Sequence, residues 1–102
     1  MDMDILYHIP NSDLSELIFS PTARNILYAG MDASKTLTIP STGYYLISID
    51  APNGTVTFYV NNIVLTGATN ARYDFPVILK GGDTITITQS GSTYSAAVIQ
   101  YT

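Results

Sequence analysis

The most constraining feature of the sequence is a period-two alternation of apolar and polar residues that recurs between turn signals. It runs through residues 35–39, 55–60 and 83–89, which are rich in β-branched residues. Such spacing predicts strands with one buried face. Turn-forming residues separate the segments, at Ser41-Thr42-Gly43, Pro52-Asn53-Gly54, Asn61-Asn62, Gly81-Gly82 and Ser90-Gly91-Ser92. Since no convincing helical pattern follows residue 25, we predict an all-β sandwich or barrel of short strands.

Three further segments, residues 43–51, 72–80 and 94–101, are apolar on both faces. A strand of a two-layer sandwich normally has one wet face. We therefore expect these strands to be covered twice, once by the opposite sheet and once by another surface. Periodicity places Tyr45 and Tyr73 in the core. The candidates for an oligomer interface are Tyr44, Leu46, Tyr59, Ile78, Ile99 and Tyr101. For the three tyrosines of this set, a plain surface position and a carbohydrate platform remain alternatives.

Charge narrows the classes of partner. The chain has 102 residues, the size of one domain, and only 12% of them are charged, against roughly 25% in a typical soluble domain. Its surface must therefore be covered by uncharged polar residues or buried against other subunits. The bases are scattered singly at Arg24, Lys35, Arg72 and Lys80, which argues against nucleic acid and anionic membrane as partners. The lack of cysteine excludes disulfides and thiolate metal sites.

The N-terminal segment, residues 1–24, is interpreted as an arm or a pair of added strands that precedes a domain of residues 25–102. Residues 5–9 and 17–20 could form strands, whereas Asp13 followed by Glu16 could cap a short helix; both readings stay open. The segment has neither a basic start nor a long apolar stretch. We therefore expect a soluble chain without a secretory signal or a membrane helix.

Catalysis and metal binding find little support in the sequence. The single histidine, His8, lies in the arm, and no Gly-x-Ser-x-Gly elbow is present. Asp50, Asp74 and Asp83 are expected at or beside strand ends or turns, where aspartate usually serves the backbone. Gly81-Gly82 lacks the lysine and helix of a phosphate loop. We predict no enzyme activity, no cofactor and no metal site within one chain; a calcium site built from three chains is left open.

Several phrases resemble the C1q and tumour-necrosis-factor-like jelly roll. They are Ile39-Pro40-Ser41-Thr42-Gly43-Tyr44-Tyr45, then Leu79-Lys80-Gly81-Gly82-Asp83-Thr84, and a terminal strand that ends at Tyr101. The resemblance covers about residues 25–102 and implies a short, two-sheet antiparallel jelly-roll sandwich. In that family the last strand runs through the centre of an inner sheet, which packs against its neighbours in a threefold trimer. The doubly apolar strands are those assigned to the inner sheet, and the Thr-rich strands are those assigned to the outer one.

Short, cysteine-free versions with phrases such as PNGTVTFYVNN resemble bacteriophage virion proteins. This resemblance implies a homotrimeric capsid decoration (cement) or head-fibre protein, made in the host cytoplasm and located on the virion. Its partners would be itself and a major capsid or other virion protein. The arm would dock on the particle through Leu14, Leu17, Ile18 and Phe19. The alternative is a receptor- or glycan-binding tip domain of a phage tail.

Overall fold

Strands dominate the structure. The computed structural model describes residues 23–102, of which 81% are strand and none are helical. The strands are β1 (Arg24–Gly30), β2 (Ser34–Thr38), β3 (Gly43–Val60), β4 (Ile63–Leu79) and β5 (Thr84–Tyr101). The all-β prediction is confirmed. The described region contains no helix of the length and apolarity needed to cross a bilayer.

The five strands form one antiparallel sheet in the order β1-β5-β3-β4, and β2 also pairs with β5. Residues 96–101 of β5 pair with β1, whereas residues 84–88 pair with β2. Along most of its length β3 pairs with β4 on one side and with β5 on the other. The three long strands β3, β4 and β5 therefore run through the whole length of the sheet.

The three long strands bend at one common level. Gly54 of β3 lies opposite Gly91 of β5, next to register shifts in both pairings of β3. Asn70 of β4 and Gly91 have positive φ angles, 52° and 119°. The predicted turns at residues 52–54 and 90–92 are therefore wrong as turns: they are irregularities inside continuous strands, because pairing with neighbouring strands resumes on both sides of them.

The bend divides the sheet into two groups of strand segments. We call β1 together with residues 71–79 of β4, 43–51 of β3 and 94–101 of β5 the β1 half. We call β2 together with residues 55–60, 63–69 and 84–90 the β2 half. Each half has the same neighbour order, with β5 and β3 in the middle and β4 at one edge.

Both halves contribute side chains to a single hydrophobic core. In β3 the buried positions are odd before the bend, as at Tyr45 and Ile47, and even after it, as at Val56 and Phe58. The irregularity thus changes the phase of the alternation so that both segments face the same core. The fully buried large side chains are Ile39, Tyr45, Ile47, Ile49, Val56, Phe58, Ile85, Ile87 and Val98.

Two predictions about tyrosines had different outcomes. Tyr45 is 2% exposed, which confirms its place in the core, but Tyr73 is 40% exposed, so its predicted core position is wrong. Tyr73 has the correct parity, since it pairs with buried Ile49. However, it lies on β4, beyond which the described residues supply no further strand, and it stacks on Phe75 with ring centroids 5.9 Å apart.

Buried polar side chains hold two connections against the core. The Tyr28 hydroxyl donates to Asp32 (3.0 Å), and Gln89 Nε2 donates to the Asp32 carbonyl oxygen (2.8 Å), which fixes the β1–β2 connection. At the β2–β3 connection, the Tyr45 hydroxyl donates to the Ser41 carbonyl and Gln100 Nε2 donates to Ser41 Oγ (3.0 Å). One glutamine of β5 in each half, Gln89 or Gln100, therefore anchors a neighbouring connection.

Candidate interaction surface

The face of the β1 half that points away from the core carries most of the predicted interface residues. Directly paired residues of antiparallel strands lie on the same face of a sheet. Because Tyr45 and Ile47 face the core, their neighbours Tyr44 and Leu46 face outward, and both are half-buried. The strand registers then identify the side chains beside them.

Two cross-strand rows form an apolar area, which we call the apolar face. In the first row, Tyr44 lies between Tyr101 of β5 and Ile78 of β4. The second row runs across all four strands of the β1 half, in the order Ile26, Ile99, Leu46 and Pro76. No charged side chain belongs to either of these rows between β5 and β4. This face therefore combines aromatic and aliphatic groups of the kind enriched at protein interfaces.

The same side of the sheet becomes polar toward the bend. Asp50 pairs with Arg72 across β3 and β4, and the guanidinium donates from Nε and Nη2 to the two carboxylate oxygens at 3.0 and 3.1 Å. This pairing raises the pKa of Arg72. Ser48 Oγ donates to Asp74 Oδ1 at 2.8 Å. The apolar face is therefore bordered at this end by paired polar groups, as expected at the rim of an interface.

The outward face of the β2 half has a different chemistry. Its cross-strand rows are mostly threonine, for example Thr36 beside Thr86 and Thr55 beside Thr69, whose hydroxyls are 3.3 and 3.0 Å apart. Thr57 lies between Thr88 and Gly67. Hydroxyl groups can be solvated without charge, so this side suits contact with water. The outward sides of the two halves therefore differ: one carries the apolar face, and the other is mostly threonine.

The structure brings five of the six predicted interface residues together on the apolar face: Tyr44, Leu46, Ile78, Ile99 and Tyr101. Tyr59 lies apart, on the outward side of the β2 half between Thr86 and Val64. Leu14, Leu17, Ile18 and Phe19, the predicted docking residues, lie outside the described residues, as does His8.

Sequence reasoning missed two members of the apolar face. Pro76 has the same parity as Ile78, so the strand pattern contained the signal for it. Ile26, which is 53% exposed, could not be found in this way. The register of β1 shifts between Ile26 and Tyr28, which places Leu27 against the core and disrupts the simple alternation.

The aspartates of the described residues take part in structural contacts. Asp83 accepts a hydrogen bond from Asn61 Nδ2 (3.1 Å) beside the Gly81-Gly82 turn, in agreement with its predicted place. The prediction that Asp50 and Asp74 lie at strand ends or turns is wrong, because β3 and β4 continue through them. Within residues 23–102, histidine, aspartate and glutamate nowhere form a group of three that could hold a metal ion.

No protein-family model and no curated protein matches this chain.

Proposed function

We propose that this chain is a structural protein of a phage virion, of the capsid decoration or head-fibre type, which assembles as a homotrimer through the apolar face. The observation that carries the proposal is the contrast between the two outward faces of the sheet. Tyr44, Leu46 and Ile99 occupy central strands of one face, whereas the corresponding positions of the other are mainly threonine. Large exposed apolar patches mark interaction sites on small proteins.

The strand pairing supports the finer proposal of a short jelly roll. Division of β3, β4 and β5 at the bend, together with β1 and β2, yields eight segments in two groups of four, the number in a double-sheet jelly roll. The last segment, residues 94–101, lies between β1 and β3, a central place like that of the final strand in the C1q-like family. In that family the sheet equivalent to the β1 half is the one that packs in the trimer.

The assignment to a virion rests on the resemblance described above. An interface of this chemistry suits permanent assembly, because homodimer and other obligate interfaces are more apolar than transient ones. Few charges take part, so the assembly would depend little on ionic strength. The threonine-covered side of the β2 half would remain in contact with solvent on the particle.

Sedimentation velocity of the full chain tests the trimer. We expect a species of about three times the 11.1 kDa chain mass at micromolar concentration. Leu46→Glu places a carboxylate in the middle of the apolar face and should produce monomers, since an unpaired buried charge is costly. Thr57→Glu, on the same strand but on the threonine side, is the matched control and should remain trimeric. Circular dichroism checks that both variants keep their strands.

A wild-type monomer, or a Leu46→Glu variant that stays trimeric, would refute assembly through this face.

The virion assignment has its own measurement, which is the binding of labelled protein to phage particles observed by electron microscopy. Label on heads supports decoration. Deletion of residues 1–22 should leave the trimer intact and abolish binding to heads; continued decoration by this variant would refute the docking role of the arm.

The receptor- or glycan-binding tip remains the second candidate because of one depression. It measures about 280 Å³ and is lined by Ser48, Ile49, Asp50, Arg72, Tyr73 and Asp74. Its carboxylates, guanidinium and neighbouring aromatic ring are groups that can bind sugar hydroxyls and stack on a sugar ring. Glycan-array binding that is lost in Arg72→Ala, together with labelled protein on tails, would favour this function over decoration.

A further inference from the structure

The bend contains a pair of residues with a chemistry of its own, Asn53-Gly54. Asn53 is the one asparagine of the sequence that is followed by glycine. Asparagine is a thermolabile residue, because the backbone nitrogen of the next residue can attack its side-chain amide. Glycine has no Cβ to hinder that approach. An asparagine–glycine pair is therefore the kind of place at which a protein deamidates without an enzyme.

The pairing of β3 is irregular around this pair. Its register with β5 shifts between Asp50 and Asn53 and again between Asn53 and Gly54. Its register with β4 passes from Ala51 to Thr55 without including them. Among the described residues, the Asn53 side chain is exposed. Since an irregularity of this kind interrupts the ladder locally, Asn53 has more freedom to rotate its amide toward the Gly54 nitrogen than a residue inside a regular ladder has.

The packing of the bend prevents the exchange of Gly54 for a residue that would slow this attack. Gly54 is buried, and a Cβ atom at this position would lie 2.6 Å from the Ser90 carbonyl oxygen. That distance is too short for any side chain unless the backbone moves. The close approach of β3 and β5 therefore keeps a reactive pair in the chain.

We propose that Asn53 deamidates spontaneously and that the isoaspartate formed there disrupts the bend. The Gly54 nitrogen gives up its proton and attacks the side-chain amide carbon of Asn53. A new C–N bond forms, the bond to the amide nitrogen breaks, and ammonia leaves from a cyclic succinimide. Water then adds to one of the ring carbonyl carbons, whose bond to the ring nitrogen breaks. Opening on one side gives aspartate, and opening on the other gives isoaspartate, in which the backbone passes through the former side chain.

The two products differ in their fit to the bend. Isoaspartate lengthens the backbone by a methylene group at residue 53, whereas aspartate leaves the backbone unchanged. Space is short here, since a Cβ atom on Gly91 would lie 2.5 Å from Gly54 Cα and 2.6 Å from the Asn53 carbonyl oxygen. That oxygen also accepts a hydrogen bond from Ser92 Oγ (3.3 Å). The added methylene shifts both groups against β5, and extra volume in a closely packed place is destabilising.

This inference does not rest on the proposed trimer, because Asn53 belongs to the bend and not to the apolar face. Incubation of the folded full chain at several pH values, followed by tryptic digestion and mass spectrometry, locates the reaction. The expected peptide, residues 36–72, also contains Asn61, Asn62 and Asn70 as internal controls. Conversion at Asn53 should be severalfold faster than at these three, and it should accelerate with pH because the attacking nitrogen must lose its proton.

Asn53→Gln should remove the fast conversion, since a glutamine would have to close a larger ring. The absence of conversion at Asn53 in the folded chain, or equal conversion at all the asparagines of the peptide, would overturn the proposed site.

The effect on the bend has a matched control in Asn53→Asp, which has the charge of the deamidated chain on an ordinary backbone. Each conversion adds one negative charge to a chain of net charge −4, so anion exchange isolates the modified protein, and an isoaspartyl methyltransferase assay measures its isoaspartate content. At equal protein concentration, the isoaspartate-rich fraction should unfold at a lower urea concentration than Asn53→Asp, which should stay close to wild type. Equal midpoints for this fraction and Asn53→Asp would overturn the disruption of the bend.

Discussion

At the scale of single residues, Gly54 and Gly91 show how closely two backbones approach at the bend. A Cβ atom built on Gly54 would lie 2.6 Å from the Ser90 carbonyl oxygen, and one on Gly91 would lie 2.5 Å from Gly54 Cα. Gly91 also has a φ of 119°, a conformation that residues other than glycine rarely adopt. The close approach of the two backbones therefore requires glycine at both positions, and the backbone conformation also requires it at Gly91.

Alanine substitutions separate these two causes. Gly91→Ala should lower the free energy of unfolding by about 3 kcal/mol, because it combines a clash with strain. Gly82→Ala, where φ is 93° and no atom lies within 4 Å of the new Cβ, should cost about 1–2 kcal/mol from strain alone. Gly43→Ala meets neither obstacle and should stay within about 0.5 kcal/mol of wild type. Urea denaturation measures all three, and equal losses would contradict the explanation.

The hydroxyl of Tyr28 gives the stability a dependence on alkaline pH. Burial raises the pKa of Tyr28 above the ordinary value of 10.0, and the Asp32 carboxylate adds to this rise, whereas the hydrogen bond from the Asp32 backbone N–H opposes it. The folded state therefore holds this proton more tightly than the unfolded state. The resulting stabilisation is complete below the ordinary pKa and is lost as pH rises through the folded pKa. In urea denaturation above pH 10, Tyr28→Phe should show a shallower decline than wild type; identical slopes would contradict this.

At the scale of strands and turns, the β3–β4 hairpin is fixed at its tip to the start of β5. Asn61 and Asn62 both have positive φ, 49° and 68°, as the turn prediction from two asparagines requires. Only Asn61 reaches across to the neighbouring strand. Its Oδ1 accepts from the Thr84 N–H (3.0 Å), and its Nδ2 donates to Asp83. The tip thus joins two elements that are distant in sequence.

Glycine substitutions at the two asparagines test this connection, since glycine tolerates positive φ at either position. Asn62→Gly should stay within about 0.5 kcal/mol of wild type or be slightly more stable. Asn61→Gly should lower the free energy of unfolding by about 1–2 kcal/mol, because the Thr84 N–H and Asp83 lose a partner. Urea denaturation of the pair provides the comparison, and a greater loss at Asn62 would refute the role of Asn61.

At the scale of the whole molecule, one bent sheet presents two unlike outer surfaces. Its long strands turn their buried faces to one core on both sides of the bend. The outer side chains of the β1 half then form the apolar face, and those of the β2 half form a threonine surface. Assembly through the apolar face would remove the surface that is hardest to solvate. The stability of the chain would then depend on its own concentration.

Thermal unfolding of the full chain should show this dependence. The apparent Tm is expected to rise with protein concentration, because assembly stabilises only the folded state. Between about 50 and 500 mM salt, the dissociation constant of the proposed trimer should change by less than about tenfold, since the apolar face contains few charges. Leu46→Glu should have a Tm that is independent of protein concentration. A strongly salt-sensitive trimer would contradict an apolar interface.

The sequence by itself determined the local features. Period-two spacing predicted the strand character of residues 35–39, 55–60 and 83–89, and residues that tolerate positive φ marked the turns at Asn61-Asn62 and Gly81-Gly82. The sequence also showed that the strands containing Tyr44–Leu46 and Ile99–Tyr101 are apolar on both faces. These features depend on neighbours within a few residues, so a one-dimensional pattern contains them.

Only the tertiary structure decided which segments are continuous and which residues share a face. The sequence around Gly54 and Gly91 predicted turns, because glycine permits both a turn and a close approach of two backbones. Only the position of the partner strand shows which of the two is present. Tyr73 has core spacing but lies at an edge, whereas Ile26 joins the apolar face through a register shift. Strand neighbours come from distant parts of the chain, and the exposure of a side chain depends on those neighbours more than on its own sequence.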